Sequence, residues 1–365
     1  MLSTLGFRTT AVLALAFAFA ACNKSSPTPS DTQASSSAAT QASGGNITIN
    51  GAGSSFVYPL LSRWSADYQK VSPTVQINYQ SVGSGAGIRQ VIAHTVQFGA
   101  TDGPMTDDQL KEAGAPVLHI PLVMGAIVPT YNLPELPHAI RFTSDALTHI
   151  FLGDVKTWND PKIASANPDL KLPSTPVVVV HRSDGSGSTY IWADYLAKVS
   201  PEWKTKVGVA TSLNWPVGIG GKGNEGVAGT VRQTPGAIGY VELTYALQNK
   251  LPLGEIKNAA GSFIAPTIES VTAAAAGALA TLPDDLRYSI TNSPGDKAWP
   301  ASGTTWAIVY QNMPAGPERK SLVSFLRWTL QDGQKACAPL SYAPLPAELV
   351  EKAAAKLDLL EPAKK

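Results

Sequence analysis

The chain has 365 residues, and its 28 Lys and Arg against 27 Asp and Glu leave a net charge of +1, so no global field recruits nucleic acid and any anion must be held locally. Hydrophobic residues at 44% and charged residues at 15% suit a folded protein and exclude a disordered one, and the length leads to an expectation of two domains. Only Cys22 and Cys337 are present and neither lies in a C-x-x-C, which removes a disulfide framework, structural zinc and dithiol redox chemistry.

Residues 1–22 read as an export signal: Arg8 in a short n-region, an apolar run over 11–21, and Ala20 and Ala21 before Cys22. The run is too short to span a bilayer, which takes about 20 residues. A small-residue site ending at a cysteine resembles the lipobox of bacterial lipoproteins, which implies cleavage and lipidation at Cys22. Phe19 departs from the aliphatic residue usual three places before that cysteine, and an ordinary secretory signal is the alternative. Residues 23–46 contain seven Ser, three Thr and four Ala and no Leu, Ile, Val or aromatic residue, so they have nothing to bury and read as a flexible tether.

From Ile47 onward, short β-like runs alternate with helical patterns, the signature of an α/β protein with largely parallel sheets. The strand candidates are residues 47–49, 75–79, 117–123, 126–131, 177–180, 237–241 and 304–310. Val57, Leu60, Leu61, Trp64 and Tyr68 share one helical face, as do Ile88, Val91, Ile92 and Val96, then Ile191, Tyr195, Leu196 and Val199. Further helices are expected around Leu322, Phe325, Leu326 and Leu330 and over 346–360.

Three glycine-serine turns each follow a strand and open a helix: Gly51-Ala52-Gly53-Ser54-Ser55-Phe56, Gly83-Ser84-Gly85-Ala86-Gly87, and Arg182-Ser183-Asp184-Gly185-Ser186-Gly187-Ser188-Thr189. Each places small residues and hydroxyls where a helix presents free N–H groups and the positive end of its dipole, which is how an anion site is built. One such turn is ordinary N-capping, but three in one chain, all at carboxyl ends of strands, point to a shared ligand. Arg182 offers a planar fork of donors suited to tetrahedral oxyanions, with Asp184 two residues on to orient it; a surface ion pair is the bland reading. Asp102 ends the short apolar run of Phe98-Gly99-Ala100-Thr101, where the alternative is an N-cap for the helix expected after Thr106.

These turns, together with Tyr79-Gln80-Ser81-Val82, Phe98-Gly99-Ala100-Thr101-Asp102, Trp215-Pro216-Val217-Gly218-Ile219-Gly220-Gly221-Lys222-Gly223-Asn224-Glu225-Gly226 and Pro235-Gly236-Ala237-Ile238-Gly239-Tyr240-Val241-Glu242, resemble the bacterial periplasmic phosphate-binding proteins that serve the high-affinity phosphate ABC importer. The resemblance runs from about Ile47 to about Leu349. It implies a type II periplasmic-binding-protein fold, two α/β lobes joined by two crossovers, with lobe I at 47–127 plus 304–365 and lobe II at 128–303. Carried over residue by residue, it implies that inorganic phosphate meets Ser55, the Phe56 N–H, Ser84 and Asp102 from one lobe, and Arg182, Ser186, the Gly187 N–H and Ser188 from the other, with Asp184 paired to Arg182. Ser55 and Ser188 stand where relatives often have threonine, and both keep the hydroxyl. It further implies ABC permease subunits as partners and a monomer. The signal segment itself leads to the expectation of an exported protein, in the periplasm or on the outer face of the cell membrane and anchored through a lipid on Cys22, and His94, His119, His138 and His149 show no paired-ligand spacing, so neither metal nor cofactor is expected. An ionised Asp102 can accept a hydrogen bond from a protonated phosphate, whereas sulfate brings no proton to it.

Other readings carry less. Gly218-Ile219-Gly220-Gly221-Lys222-Gly223 satisfies G-x-G-x-x-G with Glu242 about 20 residues on, a dinucleotide fingerprint. Pro216 disfavours a preceding central strand, so a loop near the cleft mouth, with Lys222 adding positive potential, is expected instead. A serine hydrolase would use Ser186 or Ser84 with His181 as base, but neither serine lies in a G-x-S-x-G elbow and His181 is expected on the opposite strand face from Arg182. Another oxyanion, sulfate or an organophosphate, is the alternative ligand.

Overall fold

The computed structural model describes residues 46–278 and 282–360, all within one unit, Gly44–Lys365; Cys22 lies outside the described residues. The chain opens as β1 (Ile47–Gly53), α1 (Tyr58–Val71), β2 (Val75–Ser81), α2 (Ser84–Ile92), β3 (Phe98–Thr101) and α3 (Asp107–Glu112). The face foreseen for α1 is the buried one: Leu60, Leu61, Trp64 and Tyr68 pack inward, each large side chain contributing about 2 kcal/mol by leaving water. Trp64 also donates its indole N–H to the Gly333 carbonyl at 2.7 Å. Thr106 caps α3 through a capping box with Gln109, so Asp102 is not a helix cap.

A long strand β4 (Val117–Tyr131) leads to β5 (Arg141–Phe142), α4 (Ser144–Leu152), α5 (Pro161–Ala164), β6 (Val178–Arg182), α6 (Gly187–Val199) and α7 (Pro201–Lys206). Then come β7 (Ile219–Gly221), α8 (Gly223–Gln233), β8 (Ala237–Glu242), α9 (Leu243–Gln248), β9 (Glu255–Lys257), β10 (Phe263–Ile264) and α10 (Ile268–Ala278). The last elements are β11 (Ser302–Tyr310), α11 (Pro317–Leu330) and α12 (Ala347–Asp358).

Eight strands form one sheet in the order β2-β1-β3-β11-β4-β8-β6-β7, and β10, β9 and β5 form a small second one. The main sheet is mixed rather than largely parallel. Its two ends are parallel, β2-β1-β3 and β8-β6-β7, but β11 runs antiparallel to β3 and β4, and β4 antiparallel to β8. The runs 117–123 and 126–131, expected as two strands, are one. Along it the partner changes: Val117 to Ala126 pair with β11, and Ile127 to Tyr131 pair with β8. All but Val117 of this strand is buried, as for a strand covered on both faces. A bulge sits between Thr305 and Trp306 opposite Val123 and Pro121, and a bulge is where a sheet tolerates a proline that cannot donate.

The Gly218 to Gly223 segment is not a loop. Ile219–Gly221 is the edge strand β7 and Gly223 opens α8, with Pro216 falling outside both and Lys222 exposed at the N-cap. No element here has the strand-turn-helix of a dinucleotide site with a central strand.

Candidate functional site

Four helix N-termini meet at one buried spot between the two ends of the sheet. Three follow the turns expected from sequence, after β1, β2 and β6. The fourth is that of α8, which the loop reading of Gly218 to Gly223 missed. At the centre stands Asp102, 2% exposed, at the end of β3. Ser54 donates to its carboxylate at 2.6 Å, Thr305 donates to Oδ1 at 2.6 Å, and Ser84 lies 3.4 Å from Oδ2. Burial pushes the Asp102 carboxyl up to about 6, against the pull of those hydroxyls and of the Arg182 charge.

From the β6 side, Arg182 has a side chain only 1% exposed and grips Asp184 through two of its nitrogens, Nε reaching Oδ1 at 2.8 Å. Asp184 also accepts the Gly223 N–H at 3.0 Å. Its burial alone would raise its carboxyl, but the Arg182 guanidinium and the Gly223 amide outweigh that and hold it below the usual range. Two of the five guanidinium N–H groups are spent on Asp184, leaving three for another oxygen acceptor.

The serines show a common bookkeeping. Ser55 Oγ accepts two N–H bonds from Asn224, from the backbone at 3.2 Å and from Nδ2 at 3.0 Å. Ser186 Oγ accepts the Thr189 N–H at 3.1 Å as the cap of α6, and Ser188 Oγ accepts Asn224 Nδ2 at 3.3 Å. Each hydroxyl has one proton, and in all three it finds no acceptor among the described residues and is available to an anion. Ser84 Oγ accepts the Gly187 N–H at 3.0 Å and the Asp102 N–H at 3.3 Å. The Phe56 N–H points at Ser54 Oγ at 3.0 Å, and the Ser55 carbonyl behind it receives Tyr245 at 2.6 Å.

Every residue singled out in the fold body, Ser55, Phe56, Ser84, Asp102, Arg182, Asp184, Ser186, Gly187 and Ser188, therefore lies in this cluster. Sequence reasoning did not single out Ser54, Asn224 and Thr305. Ser54 and Asn224 stood inside quoted motifs; Thr305 comes from β11, 203 residues from Asp102, with no local signal. Glu242, wholly buried at the end of β8, gives its backbone N–H to Asn224 Oδ1 at 2.9 Å, and burial raises its carboxyl to about 8. His181 turns away, its ring stacked on Trp215 at 4.8 Å between centroids and its Nδ1 3.0 Å from the Arg182 carbonyl.

A family model described as a PBP superfamily domain matches residues 31–332. The chain is 47% identical over 308 residues to the phosphate-binding protein PstS of Xylella fastidiosa (strain 9a5c), with 84% of each chain covered. It is 37% identical over 329 residues to the phosphate-binding protein PstS of Methanocaldococcus jannaschii, again with 84% of each covered. Among solved structures, a high affinity periplasmic phosphate-binding protein bound with phosphate matches with a TM-score of 0.70 at 20% identity, covering 85% of this chain and 93% of that one. At that identity the likeness speaks to the fold alone.

Proposed function

Since the chain belongs to the PBP superfamily and to the phosphate-binding PstS proteins within it, we propose that it binds inorganic phosphate at the Asp102 cluster and delivers it to the permease of an ABC importer. The carrying observation is the imbalance of hydrogen-bonding capacity at the site. Among the described residues Ser55, Ser186 and Ser188 keep unspent protons, Arg182 keeps three N–H groups beyond those on Asp184, and one carboxylate, Asp102, sits among them without an ion-pair partner. Such a set fits an anion with many acceptor oxygens and one proton to give. Phosphate near neutral pH is that anion; sulfate lacks the proton and would set its charge against Asp102.

The reading extends to residue roles. Phe56 N–H, Ser55, Ser84 and Asp102 take one side of the phosphate, and Arg182, Ser186, Gly187 N–H and Ser188 the other, with Asp184 fixing the guanidinium. Two lobes, 47–127 with 304–365 and 128–303, would close on the ligand. The change of β4 partner at Ala126 and Ile127 supports that division, as do the contacts Ser84 to Gly187 and Ser55 to Asn224. A binding role rather than hydrolysis is supported by His181, whose ring lies against Trp215 and on no serine. Export and a lipid on Cys22 complete the proposal, supported by the apolar run 11–21 and Ala20-Ala21 before Cys22. Cys22→Ser should move the protein from the membrane fraction to the soluble one, and unchanged fractionation rejects the anchor.

Calorimetric titration of the purified protein, stripped of anion by unfolding and refolding, tests the ligand. Micromolar or tighter phosphate binding, at least about 8 kcal/mol, without a sulfate response is expected. Silence toward phosphate defeats the reading, and equal responses assign the site to tetrahedral dianions in general.

A further inference from the structure

Glu242 is a buried carboxyl that phosphate binding as described does not use. It ends β8 beside β4, where it pairs with Ile127, and it caps α9, its Oε2 accepting the Thr244 N–H at 2.9 Å. Among the described residues it has no ion-pair partner. The groups facing it are Thr244 from α9, Tyr342 from the turn before α12, and, through space, Tyr245 on α9 and Asp102 at the site centre.

Proton counting fixes its state. Among the described residues Oε1 has one hydrogen-bonding neighbour, Thr244 Oγ1 at 3.3 Å. That hydroxyl also lies 2.6 Å from the Leu340 carbonyl, and a carbonyl can only accept, so its single proton goes there. Buried as it is, an ionised Oε1 would face an oxygen lone pair with no donor among the described residues; a protonated Oε1 donates to it. The Tyr342 hydroxyl likewise sits 2.6 Å from the Phe56 carbonyl and 3.3 Å from Glu242 Oε2. Tyr342 and Tyr245 thus hold the carbonyls of Phe56 and Ser55, on either side of the Phe56 amide, and both stand beside Glu242.

We propose that Glu242 is a positioning residue for the anion site, held as a neutral acid with its proton on Oε1, and that it sustains phosphate affinity by keeping a second negative charge away from Asp102 and by seating Tyr342 against the Phe56 backbone. The inference rests on the phosphate reading. Ionisation of Glu242 adds charge repulsion to an incoming dianion and puts charge under both tyrosine hydroxyls, so phosphate binding and retention of this proton are linked.

The test is phosphate titration of the full protein between about pH 6.5 and 9.5, with Glu242→Gln beside the wild type. The amide is neutral at every pH, accepts the Thr244 N–H and donates to Thr244 Oγ1. The titration of phosphate itself and of Asp102 is common to both proteins, so their difference isolates Glu242. The variant should match the wild type near neutral pH and hold its affinity where the wild type declines, approaching tenfold per pH unit above about 8. A folded variant tenfold or more weaker near neutral pH shows that the site uses an ionised carboxylate; parallel profiles show that the proton plays no part. Either overturns the proposal. If the variant fails to fold, the carbon-13 shift of the wild-type Glu242 carboxyl decides: an ionised value near pH 6.5 overturns it and a neutral value sustains it. A wild type that binds no phosphate at any pH defeats the ligand reading instead, and the carboxyl shift still decides the state of Glu242.

Discussion

The hydroxyl of Ser84 accepts the backbone N–H of Gly187 at 3.0 Å, joining the first turns of two helices whose residues stand 103 apart in sequence. The same oxygen lies 3.4 Å from the Asp102 carboxylate. The two ends of the sheet therefore meet through a side chain that the phosphate reading also places in the anion site, so on that reading a change at this contact appears as a change in ligand binding.

Gly187 has no room for a side chain. A Cβ there would fall 2.6 Å from both the Cβ and the backbone nitrogen of Asp102. Gly187→Ala should separate α6 from β3 and weaken phosphate binding by more than tenfold, about 1.4 kcal/mol, while the fold persists. Calorimetry with circular dichroism checks this, and wild-type affinity would show that the contact is dispensable.

Arg182→Ala removes the guanidinium and leaves Asp184 buried with only the Gly223 amide and its own turn to hold it. Phosphate affinity should drop by at least about 100-fold, near 3 kcal/mol. Arg182→Lys should recover little, because an ammonium cannot grip Asp184 through two nitrogens and still present a planar fork. Equal affinity in the lysine variant would refute the fork argument.

Selectivity should follow the charge of Asp102. Asp102→Asn replaces the obligate acceptor by a group that can donate, so sulfate should begin to bind. In the wild type the same relaxation should emerge as pH falls through about 6, where the carboxyl takes up its proton. Competition titrations at two pH values measure it; a variant that rejects sulfate as fully as the wild type removes Asp102 from selectivity.

The same group sets a slope in stability. Its carboxyl is raised in the folded protein to about 6 from an ordinary value of 3.8, so the folded state holds a proton that the unfolded chain releases between those values. The contribution is present below the lower value and lost as pH rises through the upper one, on the order of 3 kcal/mol in ligand-free protein. Asp102→Asn should therefore raise the melting temperature of ligand-free protein near neutral pH and flatten its dependence between about pH 4 and 6. A variant that melts lower than wild type near neutral pH would contradict this.

Much of the site was legible because its cues are local. Glycine and serine after a strand mark a helix start wherever they occur, and Arg182 and Asp102 stand at strand ends. What was not legible depends on distant chain. Thr305 reaches Asp102 only because β11 runs between β3 and β4, with a bulge at that residue. The α8 terminus was hidden because Lys222 at its N-cap makes no side-chain capping bond, leaving no start signal in a glycine-rich run. Strand β4 was split at Val123 because Met124-Gly125 interrupts a β-branched pattern, although antiparallel pairing to β11 on one side carries the ladder across it.

Gly125 and Gly303 pair with each other across β4 and β11, one pair before the step between Ala126 and Ile127 where β4 exchanges β11 for β8. A Cβ on Gly125 would fall 2.7 Å from the Phe56 ring, and one on Gly303 would strike Ile191. Bending of one end of the sheet against the other, as the two-lobe reading expects, would bear on this side-chain-free pair, with a phenylalanine from the first turn against one glycine and an isoleucine from α6 against its partner. On the phosphate reading the fulcrum and the grip are made by the same pieces of chain: Phe56 would offer its amide to the anion, and its ring lies at the crease. Movement at one is felt at the other without any relay of intermediate residues, and a larger residue at Gly125 should stiffen the crease and distort the grip in a single stroke.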